Sequence, residues 1–330
     1  MAPNLIFGAG GIGTTADSFT YTWDTPAKVS ELLHVLQMLG IHELDSGASY
    51  PPGNPWNSET LLGASQAAKK GFIIDSKILL PKQGPSLNAE NMAASIDRTC
   101  ELLSVDKVRT LYAHMPDPSV SLREQAANFH QQFLEDKFER LGLSNYSAEQ
   151  MGEYFEICEQ YNYVKPSVYQ GCYNALYRGV EKNLLQILRQ HHCAFYAYSP
   201  LAGGFLTGKV TFASVSPDPN NLKRTRWKGA SVMPQYQTAF DKPPMHNAIR
   251  RLEVICQEAN PKLTLQEAAL RWLVYHSSLQ DCDGVIIGAK QIEQLKSNVA
   301  DIRRGPLENK EAKAISDLWA AIDEVEDSLF

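Results

Sequence analysis

Short runs rich in β-branched and aromatic residues alternate along this chain with longer segments whose apolar residues recur every three to four positions. The first helical segment shows the pattern. Thr25-Pro26 supplies an N-cap and a proline at the first helical position, and Val29, Leu32, Leu33, Leu36 and Leu39 then share one face until Gly40 ends it. Strands are predicted at 4–7, 41–45, 72–77, 108–114, 140–145, 167–173, 194–199 and 284–288, with apolar-periodic helices between most of them. Eight such alternations fit an α/β fold of the closed (β/α)8 type, a TIM barrel, whose size is typically ~250 residues before insertions. The 330 residues are therefore expected to form one barrel domain over 1–330. The polar, Pro- and Asn-bearing stretch 209–244 reads as a long loop after a strand, 292–302 as the closing helix and 309–326 as an extra C-terminal helix.

Composition narrows the function classes. An apolar content of 44% supports a substantial core, and 21 Gly with 18 Pro is ordinary, so disorder is excluded for most of the chain. With 31 basic against 37 acidic residues the net charge is −6, which supplies no broad cationic face for nucleic acid. The six cysteines are scattered without a C-x-x-C pair or a histidine at ligand spacing, so reduced thiols and no metal site are expected. No apolar run approaches about eighteen residues and no basic, then apolar, leader opens the sequence. A soluble cytoplasmic protein without a membrane partner is the expectation.

One motif invites a different fold. Gly8-Ala9-Gly10-Gly11-Ile12-Gly13 matches the G-x-G-x-x-G of dinucleotide-binding loops directly after a predicted strand. In such a loop the glycines open a helix that holds a pyrophosphate, but here Thr14 to Ser18 leads into the loop-like aromatic run Phe19 to Trp23. The acidic residue expected about twenty positions on, Glu31, falls inside a helix rather than at a strand end. A glycine-rich turn at a barrel mouth fits better, with a Rossmann dehydrogenase as the competing reading.

More chemistry lies at the predicted strand ends. Asp45, Lys77 and His114 each end a strand, and Tyr50 follows Asp45 by five residues. In a barrel the C-terminal strand ends share one face, where catalytic groups converge. Singly, each has a structural explanation: a turn cap, a loop aromatic, a snorkelling lysine, a core histidine. Together they suit reduction of a carbonyl. A phenol with pKa near ~10 becomes a useful proton donor when a cation stabilises its phenolate, a carboxylate keeps that cation charged, and a histidine can orient the carbonyl.

These residues, in their surroundings, resemble the aldo-keto reductase superfamily over nearly the whole chain. Leu44-Asp45-Ser46-Gly47-Ala48-Ser49-Tyr50, then Ser58-Glu59-Thr60-Leu61-Leu62-Gly63, is similar to the family's Asp-to-Tyr segment and the S-E-x-x-L-G helix after it. Ser76-Lys77, Tyr112 to Asp117 and Leu141 to Asn145 follow in the family's order. The resemblance implies a catalytic tetrad of Asp45, Tyr50, Lys77 and His114, and the cofactor NADP(H). It further implies that Ser144, Asn145 and Gln170 hold the nicotinamide carboxamide and that Tyr198 stacks on the ring. Ser199, Pro200, Leu201, Gly203 and Lys209 belong to a segment resembling the family's pyrophosphate cover. Gly288, Lys290, Gln294 and Asn298 belong to one resembling its adenosine-phosphate segment, with Lys290 toward a 2′-phosphate.

The run Phe195 to Gly204 is most similar to the aflatoxin-aldehyde-reductase branch. Pro51-Pro52-Gly53-Asn54-Pro55-Trp56 is longer and richer in proline than the family's usual turn, and Gln294 stands where many members carry arginine. Trp56, His114 and Trp227 are the expected substrate walls. The leading reading is an NADPH-dependent reductase of aldehydes, and of some ketones, with Tyr50 as proton donor. An alternative is a binding subunit of the channel-associated kind, which keeps the nucleotide but acts through a protein partner. A monomer and a homodimer both remain open.

Overall fold

The computed structural model describes residues 2–14, 22–216, 222, 227 and 234–322. Eight parallel strands close into a barrel in chain order: β1 (Asn4–Gly8), β2 (Glu43–Asp45), β3 (Ile73–Lys77), β4 (Val108–Ala113), β5 (Phe138–Ser144), β6 (Pro166–Cys172), β7 (Ala194–Tyr198) and β8 (Gly284–Ile287). Closure pairs β1 with β8, with Asn4 opposite Gly284, and so removes both sheet edges. The surrounding helices are α1 (Pro26–Met38), α2 (Asn57–Ala64), α3 (Ala89–Leu103), α4 (Leu122–Leu134), α5 (Ala148–Tyr161), α6 (Leu184–Gln190), α7 (Gln235–Phe240), α8 (Pro243–Glu258), α9 (Leu265–Tyr275), α10 (Ile292–Arg303) and α11 (Asn309–Trp319). This is a TIM barrel with a C-terminal helix.

Local sequence explains where the helices begin. Thr25, Asn88, Ser121, Ser147 and Thr264 each turn a side-chain oxygen onto a backbone N–H of the first turn. Such caps contribute about 1 kcal/mol apiece. Ser147 and Gln150 cap each other reciprocally at the start of α5.

The helix-facing sides of the strands join one large core with residues such as Leu32, Leu33 and Leu36 of α1. A separate, smaller cluster of Ile6, Tyr112, Val168, Tyr196 and Ile286 fills the barrel interior. Glycine makes room for those rings: a Cβ at Gly142 would lie 2.3 Å from the Tyr112 ring. Any side chain there would displace the packed centre of the barrel.

One expectation needs correction. The stretch 209–244 is not loop throughout: it holds the short helix α7, and α8 already begins at Pro243. Six residues are too few for a period to show. Parts of that stretch, at 217–221, 223–226 and 228–233, lie outside the described residues, as do 15–21, 1 and the end of the expected C-terminal helix at 323–326. The glycine motif, as expected of a turn at the barrel mouth, opens no α-helix. It folds as a 3-10 turn, Ala9–Gly11, and the next described helix starts at Pro26.

Candidate active site

Strands β2, β3 and β4 end at neighbouring points of the mouth because they pair in register, Asp45 beside Asp75 and Lys77 beside Tyr112. Lys77 is fully buried, and its Nζ donates to Asp45 Oδ1 at 2.6 Å and to the Ser46 carbonyl at 2.7 Å. The same ammonium stands 4.7 Å from the centroid of the Tyr50 ring. His114, the residue after β4, meets the Tyr50 ring edge to face at 5.5 Å. Four residues spread over 45–114 thus form one cluster.

Their charge states follow from burial set against pairing. Burial works against the Lys77 charge, but Asp45 and Tyr50 more than offset it and raise its pKa, so it stays an ammonium. Burial pushes the Asp45 carboxyl up while Lys77 and Gln170 pull it back. Burial likewise raises the Tyr50 phenol, with Lys77 opposing, so the phenol keeps its proton at neutral pH. His114 is driven down to about 3 by burial and then by Lys77, and is therefore a neutral imidazole. Its Nδ1 is buried and has no hydrogen-bond partner among the described residues.

Around this cluster lie the residues expected to face a nicotinamide. Asn145 takes a left-handed conformation, φ 64°, just past β5, and its Nδ2 donates to the His114 carbonyl at 3.0 Å and to Ser144 Oγ at 3.1 Å. Tyr198 at the end of β7 donates its hydroxyl to Asn145 Oδ1 at 2.9 Å. Gln170 on β6 donates from Nε2 to Asp45 Oδ1 at 2.7 Å, which ties it to the tetrad itself. The strands expected to reach His114, Asn145 and Ser199 stop one residue earlier; at Asn145 and Ser199 the chain turns through positive φ.

The remaining predicted positions fall on two loops. After β7, Ser199 Oγ meets the Tyr236 hydroxyl of α7 at 2.5 Å, Pro200 is buried, and Leu201 packs on the core. Gly203 and Gly204 bend the following 3-10 segment, Ala202–Thr207, and Lys209 is exposed beyond it. Trp227, expected as a lid, donates from its indole to the Gly203 carbonyl at 2.9 Å and packs on Phe205, which places it with this loop. After β8, Gly288 is exposed, the Lys290 N–H donates to Gln294 Oε1 at 3.0 Å, and Asn298 is buried, its Oδ1 without a partner among the described residues. Trp56 is half-buried at the start of α2, held by its N–H on the Ala48 carbonyl at 2.7 Å.

Three participants were not singled out from sequence. Tyr236 was hidden in the unperiodic stretch, and the Ser46 carbonyl, as backbone, carries no residue-type signal. Glu59 was noticed only as part of a motif. It is buried behind β3, accepts from Ser76 and Thr99, and is raised by burial to about 7.

The model of the Aldo/keto reductase family matches residues 4–320. The chain belongs to the aldo/keto reductase family. It is 34% identical over 328 residues to the human "Aldo-keto reductase family 7 member A3", covering 96% of this chain and 94% of that protein. It is 34% identical over 292 residues to the rat "Aflatoxin B1 aldehyde reductase member 2", covering 86% of this chain and 77% of the relative. A fungal relative, "Oxidoreductase sirO" of Leptosphaeria maculans, is 30% identical over 98% of this chain and 95% of its own length. As a member of this family the chain is an NAD(P)H-dependent oxidoreductase acting on carbonyl compounds, with a small-molecule carbonyl as substrate. Among the described residues no helix is long and apolar enough to cross a membrane.

Proposed function

We propose that this aldo/keto reductase reduces aldehydes, and ketones, to alcohols with NADPH, and that Tyr50 donates the proton. The observation that carries this reading is the buried ammonium of Lys77, held by Asp45 and Ser46 against the Tyr50 phenol. A phenol kept protonated by burial is a reservoir for the proton, and Lys77 stabilises the phenolate left when it moves to the carbonyl oxygen. Neutral His114 orients the carbonyl, and Asn145 fixes His114 through its backbone.

The nicotinamide supplies the hydride when bound. The unpartnered Asn298 Oδ1 and His114 Nδ1 fit a ligand that brings hydrogen-bonding groups to the mouth. Ser144, Asn145 and Gln170 would hold its carboxamide, Tyr198 its ring, the segment from Ser199 through Gly203 to Lys209 its pyrophosphate, and Gly288, Lys290, Gln294 and Asn298 its adenosine end. The cation at Lys290 favours a 2′-phosphate, hence NADPH. Relatives named for an aflatoxin-derived aldehyde support bulky aldehydes among the substrates. In the test, NADPH oxidation is followed with 4-nitrobenzaldehyde for the wild type and Tyr50→Phe. The variant loses a factor of about 10²–10⁴ in kcat/KM with NADPH affinity unchanged. Equal rates would remove Tyr50 from the chemistry.

A further inference from the structure

The glycine motif that misleads toward a Rossmann loop sits against the catalytic phenol, and its glycines differ in why they are glycine. Gly13 has φ +116°, and a Cβ there would fall 2.7 Å from Asn57 Oδ1 and 2.8 Å from Pro51. Backbone conformation and packing both demand it. The surrounding strap is tied to the Pro51–Trp56 loop: Thr14 donates from its N–H to Asn57 Oδ1 at 2.8 Å, Asn54 donates to the Thr14 carbonyl at 2.5 Å, and Ser58 donates to the Ala9 carbonyl at 3.0 Å. Gly10 lies in the middle of this strap but is outside the positive-φ positions, so its backbone conformation does not itself require glycine.

Space is what distinguishes it. A Cβ at Gly10 would have as its three nearest atoms Cε2, Cδ2 and Cζ of Tyr50, at 3.6–3.7 Å, which is ordinary contact rather than a clash. At the neighbouring Gly11 the nearest atoms are the Ala289 carbonyl and Trp23, both 3.9 Å away. The Tyr50 ring has Lys77 over its face and His114 edge to face beside it. Along the Cδ2–Cε2 edge, next to the carbon that bears the hydroxyl, it has a half-buried residue without a side chain.

We infer that Gly10 is a specificity-determining position, and that the space it leaves along the Tyr50 edge takes the second carbon substituent of a ketone. This rests on the reading of Tyr50 as proton donor. A carbonyl whose oxygen accepts from the Tyr50 hydroxyl carries its two carbon substituents on opposite sides of the C=O axis, and the one on the Cε2 side is the one that passes nearest residue 10. An aldehyde has only a hydrogen on one of those sides, whereas a ketone needs a pocket at least as large as a methyl group. A side chain at 10 occupies that volume and leaves the catalytic hydrogen bonds in place.

The test uses 4-nitrobenzaldehyde and 4-nitroacetophenone, which differ by that one methyl, with the wild type, Gly10→Ala and Gly10→Val. The ratio of ketone to aldehyde kcat/KM falls roughly tenfold for Gly10→Ala and roughly a hundredfold for Gly10→Val, the scale of one to two misplaced methyl groups in a pocket. NADPH affinity, read by protein fluorescence, and the unfolding midpoint stay at wild-type values. A ratio blind to residue 10, or equal losses on both substrates, would overturn the inference. So would NADPH affinity that weakens with side-chain size, because Gly10 would then border the nucleotide. A wild type that oxidises neither NADPH nor NADH with either carbonyl would overturn the underlying assignment instead, and the inference with it.

Discussion

Two buried charge clusters sit in the same barrel, two residues apart along the same strands. On β2, Glu43 precedes Asp45, and on β3, Asp75 precedes Lys77. In the deeper cluster Arg109 grips Asp75 through two hydrogen bonds of 2.8 and 2.6 Å and reaches Glu43 at 2.6 Å, while Asn4 also donates to Glu43. The Thr110 N–H adds a further bond to Asp75, and Arg140 donates to Thr110 Oγ1 and to the Tyr196 hydroxyl. At the mouth, by contrast, one ammonium donates to Asp45 and Ser46 and faces the Tyr50 ring, and among the described residues His114 Nδ1 has no hydrogen-bond partner. The residue types are similar. On the proposed reading, what separates the two is that the mouth cluster keeps a nitrogen and a phenol for a substrate, whereas the deeper one spends its charges on one another.

Three substitutions break or sharpen that contrast. Lys77→Met strands the Asp45 carboxylate and removes the phenolate's partner, so kcat/KM drops by about 10³ or more and the fold loses about 3–5 kcal/mol. Steady-state kinetics and urea unfolding measure the two losses. Arg109→Met strands Asp75 and Glu43 and costs a similar 3–5 kcal/mol, yet kcat/KM of the folded enzyme stays within about threefold of wild type. A large kinetic loss would show that the deeper cluster takes part in the chemistry.

The smallest effect concerns Glu59, outside both clusters. Its pKa is raised by burial from 4.5 to about 7, so the unfolded chain releases this proton before the folded one does. Its contribution is best below pH about 4.5, falls as the pH rises to about 7, and is flat above that. The stability difference between wild type and Glu59→Gln should therefore shift by up to about 3 kcal/mol across this window. A difference independent of pH would mean that Glu59 titrates normally.

Legibility from sequence depended on what kind of signal each part emits. The eight strands were readable because apolar runs recur between periodic helices, while several ends differed by a residue or two; at Asn145 and Ser199 the chain leaves the strand through positive φ, which Asn favours but Ser does not. That Asp45, Tyr50, Lys77 and His114 come together was readable because ionisable side chains are rare at the ends of buried strands. The α7 helix escaped because six residues span less than two turns, and with it went the Tyr236 contact to Ser199. Trp227 was expected beside the substrate from its place in the mouth loop, and its hydrogen bond to the Gly203 carbonyl joins segments too far apart in sequence for any local pattern to show.

The order of strands and helices, the identity of the family and the chemical types gathered at the strand ends were determined by the sequence itself, because periodicity and side-chain chemistry are local properties. Only the tertiary structure decided that Gln170 reaches Asp45, that Glu59 is buried behind Ser76, and that a glycine from the first loop lies along the edge of Tyr50. Those relations join residues separated by tens of positions or more. They exist only once barrel closure has set the strands side by side and folded the loops over one mouth.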